Sequence, residues 1–189
     1  MMQVSNAPLL DQELLQKTAG RDEKAFKQLY QRYQQAVFNY ILRLIHDEVA
    51  AEELLQDVFF AIWQGAADFR SQASVKTWIF RIAHFQAVSW LRKNLPGKHA
   101  QKTELDDELL ATEPSPEETL IEKRKIERML IALENLSPSH RSVVELTFVH
   151  GFSQNEIAEI LKCPAGTVKS RMSSALKYLA ASLENDESK

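Results

Sequence analysis

At 189 residues the chain holds one ordinary domain or two small ones, by the rule of roughly 100–200 residues per domain. With 44% apolar and 26% charged residues, five Gly and six Pro, it is not collagen-like, wholly disordered or a turn-rich β protein, and its Leu, Ala, Glu, Lys and Gln point to an all-α fold. The net charge of −3 argues weakly against a generic nucleic-acid binder, but it averages over segregated blocks: five acids and no base in 47–57, seven bases and no acid in 69–103, eight acids and no base in 104–122.

Leu9, Leu10, Leu14 and Leu15 predict a short amphipathic helix that Gly20 ends, and Asp22 opens the next. That second helix is long, because Ala25, Phe26, Leu29, Tyr30, Tyr33, Val37, Phe38, Ile41, Leu44 and Ile45 recur at helical spacing. Asp47 caps a third helix reaching Gln64, with Ala50, Leu54, Val58 and Ile62 on one face and Leu55, Phe59 and Trp63 beside it. A polar stretch from Gly65 through Ser74 leads to a fourth helix over 75–93, whose buried stripe is expected at Trp78, Ile79, Ile82 and Ala83. These helices make a first domain, 1–95.

Pro96, Gly97 and Pro114 amid a run of acids mark 96–115 as a flexible acidic linker, and 116–189 as a second helical domain. Ser115, Pro116 and Glu118 start a helix to Leu136, and Ser137 with Pro138 starts another to Val149, before Gly151. Ser153 caps a short helix to Leu161, with Ile157, Ala158 and Leu161 pointing inward. A turn over 162–166 leads to a last helix with an apolar stripe at Val168, Met172, Ala175, Leu176 and Leu179. This is a helix-turn-helix, and the opposite face of its second helix carries Thr167, Lys169, Ser170, Arg171, Ser173, Ser174 and Lys177, donors for phosphates and base edges.

Two further surfaces stand out. On the third helix Glu53, Gln56, Asp57, Phe60 and Gln64 share an outward face, and an aromatic amid acids and amides suits a protein-binding surface. The fourth helix interleaves Lys76, Arg81, Arg92 and Lys93 with Trp78, Phe80, His84, Phe85 and Trp90. Rings beside cations suit single-stranded nucleic acid, because bases stack on rings while cations meet phosphates.

The segments AFKQLYQRY (25–33), AEELLQDVFFAIW (51–63), TWIFRIAHFQAVSWLRK (77–93), LSPSHRSVVELTFVHGFSQNEIAEIL (136–161) and CPAGTVKSRMSSALKYL (163–179) resemble, in that order, the bacterial RNA polymerase sigma factors of the extracytoplasmic-function group. The resemblance implies that the first domain binds the clamp helices of the polymerase largest subunit through Glu53, Gln56, Asp57 and Phe60. It also implies that this domain reads and melts the minus-ten promoter element with the loop 65–75 and the fourth helix, using Arg70, Lys76, Arg81, His84, Phe85, Trp90, Arg92 and Lys93. The second domain would read the minus-thirty-five element through Thr167, Lys169, Ser170, Arg171, Ser173, Ser174 and Lys177 and touch the polymerase flap, and an anti-sigma factor is a further expected partner. The chain departs from the usual family pattern at Phe85 (usually Asn), Ser89 (usually acidic), and Ser174 and Leu176 (usually basic).

A different class remains as the alternative, a two-domain regulator that binds operator DNA as a symmetric dimer without polymerase. An enzyme is not expected: the five His are dispersed, there is no Gly-rich phosphate loop, no nucleophile stands by a base, and neither cofactor nor metal motif occurs. The lone Cys163 fits a reducing compartment. With no signal peptide and no long apolar run, the cytoplasm is the expected location.

Overall fold

The computed structural model describes residues 10–94, 129 and 131–184, and every regular element among them is helical. The expected acidic linker and most of the helix expected from Ser115 lie outside these residues. The chain divides into two compact units, the first running to Trp90 and grouped with Glu159–Leu161, so 91–94 and 159–161 fall at the division, each belonging to the helix it ends.

The first unit contains α1 (Asp11–Ala19), α2 (Glu23–Ile45), α3 (Glu48–Gly65), a 3-10 turn (Ala66–Asp68) and α4 (Val75–Asn94). Local hydrogen bonds start three of these helices. Asp22 Oδ1 accepts from the N–H groups of Lys24 (2.9 Å) and Ala25 (3.1 Å), Asp47 Oδ1 from Ala50 (2.9 Å), and Ser74 Oγ from Thr77 (3.0 Å). Each bond satisfies a donor that the helix start leaves orphaned. α2 stops where His46 turns left-handed (φ 55°) and its N–H returns to the Leu42 carbonyl. Leu10 is not on the apolar face of α1: the helix begins after it, Leu14, Leu15 and Thr18 turn inward, and Leu10 is 70% exposed.

The stripes expected on α2 and α3 are core: Leu29, Val37, Ile41, Leu44, Val58 and Ile62 are all buried. The stripe of α4 is not the expected one. Ile79, Phe80, Ala83, Ala87 and Leu91 face inward, whereas Trp78 and Ile82 remain partly exposed. At about 100° per residue, positions 80, 83, 87 and 91 share one side of a helix, and 78 and 82 fall on the other. Trp78 is covered instead by Phe69 of the preceding loop, their ring centroids 5.4 Å apart, and it packs over Gly65, where an added Cβ would stand 3.6 Å from the indole.

The second unit contains a helical stretch at 131–135, α5 (Pro138–Val144) continuing into one π-helical turn (Glu145–Val149), α6 (Gln154–Leu161) and α7 (Ala165–Glu184). Gly151 takes φ +69°, a conformation strained for any L side chain, and so lets the chain leave α5. Ser153 and Glu156 form a reciprocal capping box: the Ser153 N–H donates to Glu156 Oε2 (2.9 Å) and the Glu156 N–H to Ser153 Oγ (3.4 Å). Lys162, at φ 51°, closes α6. The turn is shorter than expected, since α7 begins at Ala165 and includes Gly166.

Ile157 and Ile160 are the inward residues of α6, while Ala158 and Leu161 are only half-buried. On α7, Val168, Ala175 and Leu179 are buried. Leu176, expected beside them, is 45% exposed, because it stands about 100° round the helix from Ala175.

Arg141 organises this unit. Buried on α5, it donates from Nε to the Leu133 carbonyl (3.1 Å) and from its terminal nitrogen to the carbonyls of Glu134 and Leu136, the latter at 3.0 Å. One guanidinium thus reaches carbonyls at the end of the 131–135 stretch and just past it, where helix carbonyls lack intrahelical donors. Burial lowers its pKa, opposed by the charges of Glu134 and Glu145. Around it Ala132, Leu136, Val144, Ala175 and Leu179 form an apolar cluster.

Arg141→Ala is expected to destabilise the second unit by about 3 kcal/mol, and Arg141→Lys by less, since an ammonium cannot reach the three carbonyls as a fork. All three Trp residues, 63, 78 and 90, precede the division between units. The loss should therefore appear in urea unfolding followed by circular dichroism, while the tryptophan-fluorescence transition keeps its midpoint.

Candidate nucleic-acid interface

Three surfaces carry the expected site residues. On α3, Glu53, Gln56, Asp57 and Phe60 are all exposed, Phe60 at 64%. Their backs are held by Phe59, buried against Tyr30 (centroids 4.7 Å) and Phe26 (6.2 Å), so the outward face stands on a rigid aromatic base. Val49, 70% exposed on the first turn of the same helix, was not signalled by the sequence pattern.

On α4, Arg81, Ile82, Phe85, Gln86 and Ser89 line a shallow open depression of about 280 Å³. Phe85 is 49% exposed and Arg81 is half-buried. Ile82 and Gln86 were missed in the sequence because the expected stripe placed Ile82 inside. Their spacing from Arg81, Phe85 and Ser89 along one helix face is the signal that finds them. Arg92 and Lys93 are exposed at the end of α4, Lys76 is half-buried at its start, Trp90 is half-buried, and Arg70 is exposed in the loop.

His84 is half-buried and makes a contact within the fold: its Nδ1 lies 2.9 Å from the hydroxyl of the fully buried Tyr40 on α2. Phe80 is likewise fully buried, 5.5 Å from the Tyr40 ring, whereas Phe85 is exposed and Trp78 and Trp90 are half-buried.

On α7, Lys169, Ser170, Ser173 and Lys177 are exposed and share the outward side, with Thr167 and Ser174 half-buried at its edges. Ser170 Oγ donates to the Thr167 carbonyl (3.0 Å), which leaves its lone pairs outward. A Cβ on Gly166 would meet nothing within 4 Å, so the start of α7 is open to an approaching backbone.

Arg171 is not at the centre of this face. It is half-buried, its Nη1 is 4.0 Å from Cys163 Sγ, and its charge acts on His140 of α5. At about 100° per residue it lies on the flank between the outward row and the buried Ala175. His140 in turn contacts Ser137 Oγ through Nδ1 (2.6 Å), and burial, then Arg171, lowers its pKa below the ordinary 6.5. Among the described residues no group of three His, Cys, Asp or Glu side chains is placed to hold a metal ion, and no helix is long and apolar enough to cross a membrane.

Comparison with known proteins gives the class. Residues 29–95 match sigma-70 region 2, and residues 132–181 match sigma-70 region 4. The chain is 32% identical over 137 residues to the RNA polymerase sigma factor YlaC of Bacillus subtilis, covering 72% of this chain and 79% of that one. It is 28% identical to the ECF RNA polymerase sigma factor SigX of the same organism, covering 86% and 85%. Among solved structures it resembles the sigma factor RpoE from Bartonella quintana, determined in complex with the anti-sigma factor NepR, at TM-score 0.63 and 29% identity, covering 86% of this chain and 99% of that one. The chain belongs to the RNA polymerase sigma factors of the extracytoplasmic-function (ECF) group. As such it binds core RNA polymerase and promoter DNA and directs transcription initiation, and the dimeric operator-binding alternative is not favoured.

The depressed pKa of His140 makes the second unit sensitive to acid. Folded His140 binds its proton more weakly than the unfolded residue, so stability is fully present above pH 6.5 and is lost as pH falls through the folded pKa. Thermal unfolding followed by circular dichroism should show a midpoint that drops between pH 7.5 and 5.5. His140→Gln should flatten that drop.

Proposed function

We propose that the three surfaces divide the work of initiation. Residues 1–95 carry polymerase binding and minus-ten opening, 96–115 link them to 116–189, and the second domain reads the minus-thirty-five element. Glu53, Gln56, Asp57 and Phe60 dock on the clamp helices of the largest subunit: an aromatic anchor amid acids supplies both buried area and charge complementarity to a basic partner. The second domain also touches the flap. The protein works in the cytoplasm and acts by binding, without chemistry of its own.

The observation that carries this reading is the depression on α4, with Phe85 exposed within it, Arg81 at its edge and no acid anywhere in 69–103. Such a surface takes an extruded base: the ring stacks on it while Arg70, Lys76, Arg81, Arg92 and Lys93 meet the displaced strand's phosphates. Trp90 contributes a second ring, and His84 supports α4 from behind. On α7, Lys169 and Lys177 anchor phosphates, Thr167, Ser170, Ser173 and Ser174 read base edges, and Arg171 meets the backbone from the flank.

RpoE of Bartonella quintana, which shares this fold, is held by an anti-sigma factor in its solved complex. By that likeness an anti-sigma factor keeps this chain inactive by covering the exposed α3 face.

Transcription in vitro with core polymerase on a random promoter library tests the reading as a whole: the chain should confer start sites that core enzyme alone does not use. Asp57→Lys, and Phe60→Ala with Gln56→Ala, should weaken core binding by about tenfold or more without loss of helicity. A pull-down in which the variants bind core as the parent does would remove α3 from the interface.

On the second domain, Lys169→Ala and Lys177→Ala should each lower promoter affinity for all sequences and reduce the salt slope by about one. Ser173→Ala should instead relax preference at one upstream position. Filter binding of the holoenzyme across a salt series, with library sequencing, separates the two.

A further inference from the structure

We infer that α1 is a brace for the loop that precedes α4, and that Gln12 is a positioning residue for promoter opening. α1 is tied to α2 by Asp11, whose carboxylate takes the guanidinium of Arg32 and the hydroxyl of Tyr33. The turn after α1 reaches the end of α3: Arg21 donates from Nη1 to the Trp63 carbonyl (3.2 Å), and its guanidinium lies 5.2 Å from the centre of the Trp63 ring. Between these anchors, Gln12 Nε2 donates to Ser71 Oγ at 3.2 Å.

Ser71 sits at the apex of the loop, in a left-handed conformation (φ 55°) that a serine adopts at a cost. The two ends of the loop are held separately, by Phe69 on Trp78 and by Ser74 capping α4. The apex, with Arg70 exposed next to it, has the hydrogen bond from α1. Fixing Ser71 fixes where the Arg70 cation points, and a preoriented cation loses less freedom on meeting a phosphate. The inference rests on the proposed opening role of this loop. It adds that an element with no assigned contact to DNA sets the loop's geometry.

The test uses holoenzyme on a promoter selected by the wild-type protein, with opening read by permanganate reactivity on duplex DNA and on a template mismatched across the start region. Gln12→Ala and Ser71→Gly, the latter keeping the left-handed backbone while removing the hydroxyl, should each reduce opening on duplex about threefold to tenfold, and the double variant should be no worse than either. Gln12→Glu, whose carboxylate accepts from the Ser71 hydroxyl, should restore most of the loss. Core affinity, thermal midpoint and activity on the mismatched template should stay at wild-type values, which a merely structural role would not allow. Arg70→Ala is the control. If Arg70→Ala impairs duplex opening and Gln12→Ala does not, or if Gln12→Ala falls equally on both templates, the brace is wrong and the loop's role stands. If Arg70→Ala also opens duplex normally, the role of the loop fails with it.

Discussion

A buried phenol hydroxyl must find a hydrogen-bond partner or cost roughly 1–3 kcal/mol, and in the first unit Tyr40 meets this requirement across helices through His84. Phe80 packs on the same ring one turn earlier on α4. Two contacts on one side of a helix fix its rotation about its own axis. Once residues 80 and 84 point at α2, helical geometry sends 78, 82, 85 and 89 outward. The depression around Phe85 therefore follows from where Tyr40 lies on α2. The exposed aromatic in it is tolerable because the buried stripe of Ile79, Ala83, Ala87 and Leu91 already supplies the core.

The second unit solves a different problem with a charge. Its upstream helical stretch ends beside α5, and the last carbonyls of a helix need donors. Arg141 supplies three from one side chain, and the planar guanidinium remains protonated despite burial. Because Ala175 and Leu179 of α7 share the apolar cluster of Ala132, Leu136 and Val144, the outward row of α7 is aimed by the same packing. Lys169, Ser170, Ser173 and Lys177 are presented together because Val168 and Ala175 are buried behind them.

The charge blocks follow the division of labour. Acids cluster on α3, the surface proposed to dock on the polymerase, and are missing from 69–103, the segment proposed to follow a phosphate backbone. A chain that is slightly acidic overall can thus carry a basic surface without binding DNA everywhere. The sum of its charge says little about any one face.

The sequence by itself determined most of the described helices, the caps at Asp22, Asp47 and Ser153, the two-part organisation, the outward face of α3 and the helix-turn-helix, because these depend on periodicity and on bonds between residues three or four apart. Asp22, Asp47, Ser153 and Gly151 all act within their own turn of chain. The tertiary structure alone decided the rotation of α4, the contact of His84 with Tyr40, the exposure of Leu176 and the sideways placement of Arg171. It also decided that Arg141, a cation set among Ser139, His140 and Ser142, turns inward onto three carbonyls, and that Gln12 reaches a serine 59 residues away. Each of these turns on which partner stands opposite. A composition of mixed rings and cations, such as that of α4, offers several faces of similar hydrophobicity, and only the neighbouring helix selects among them.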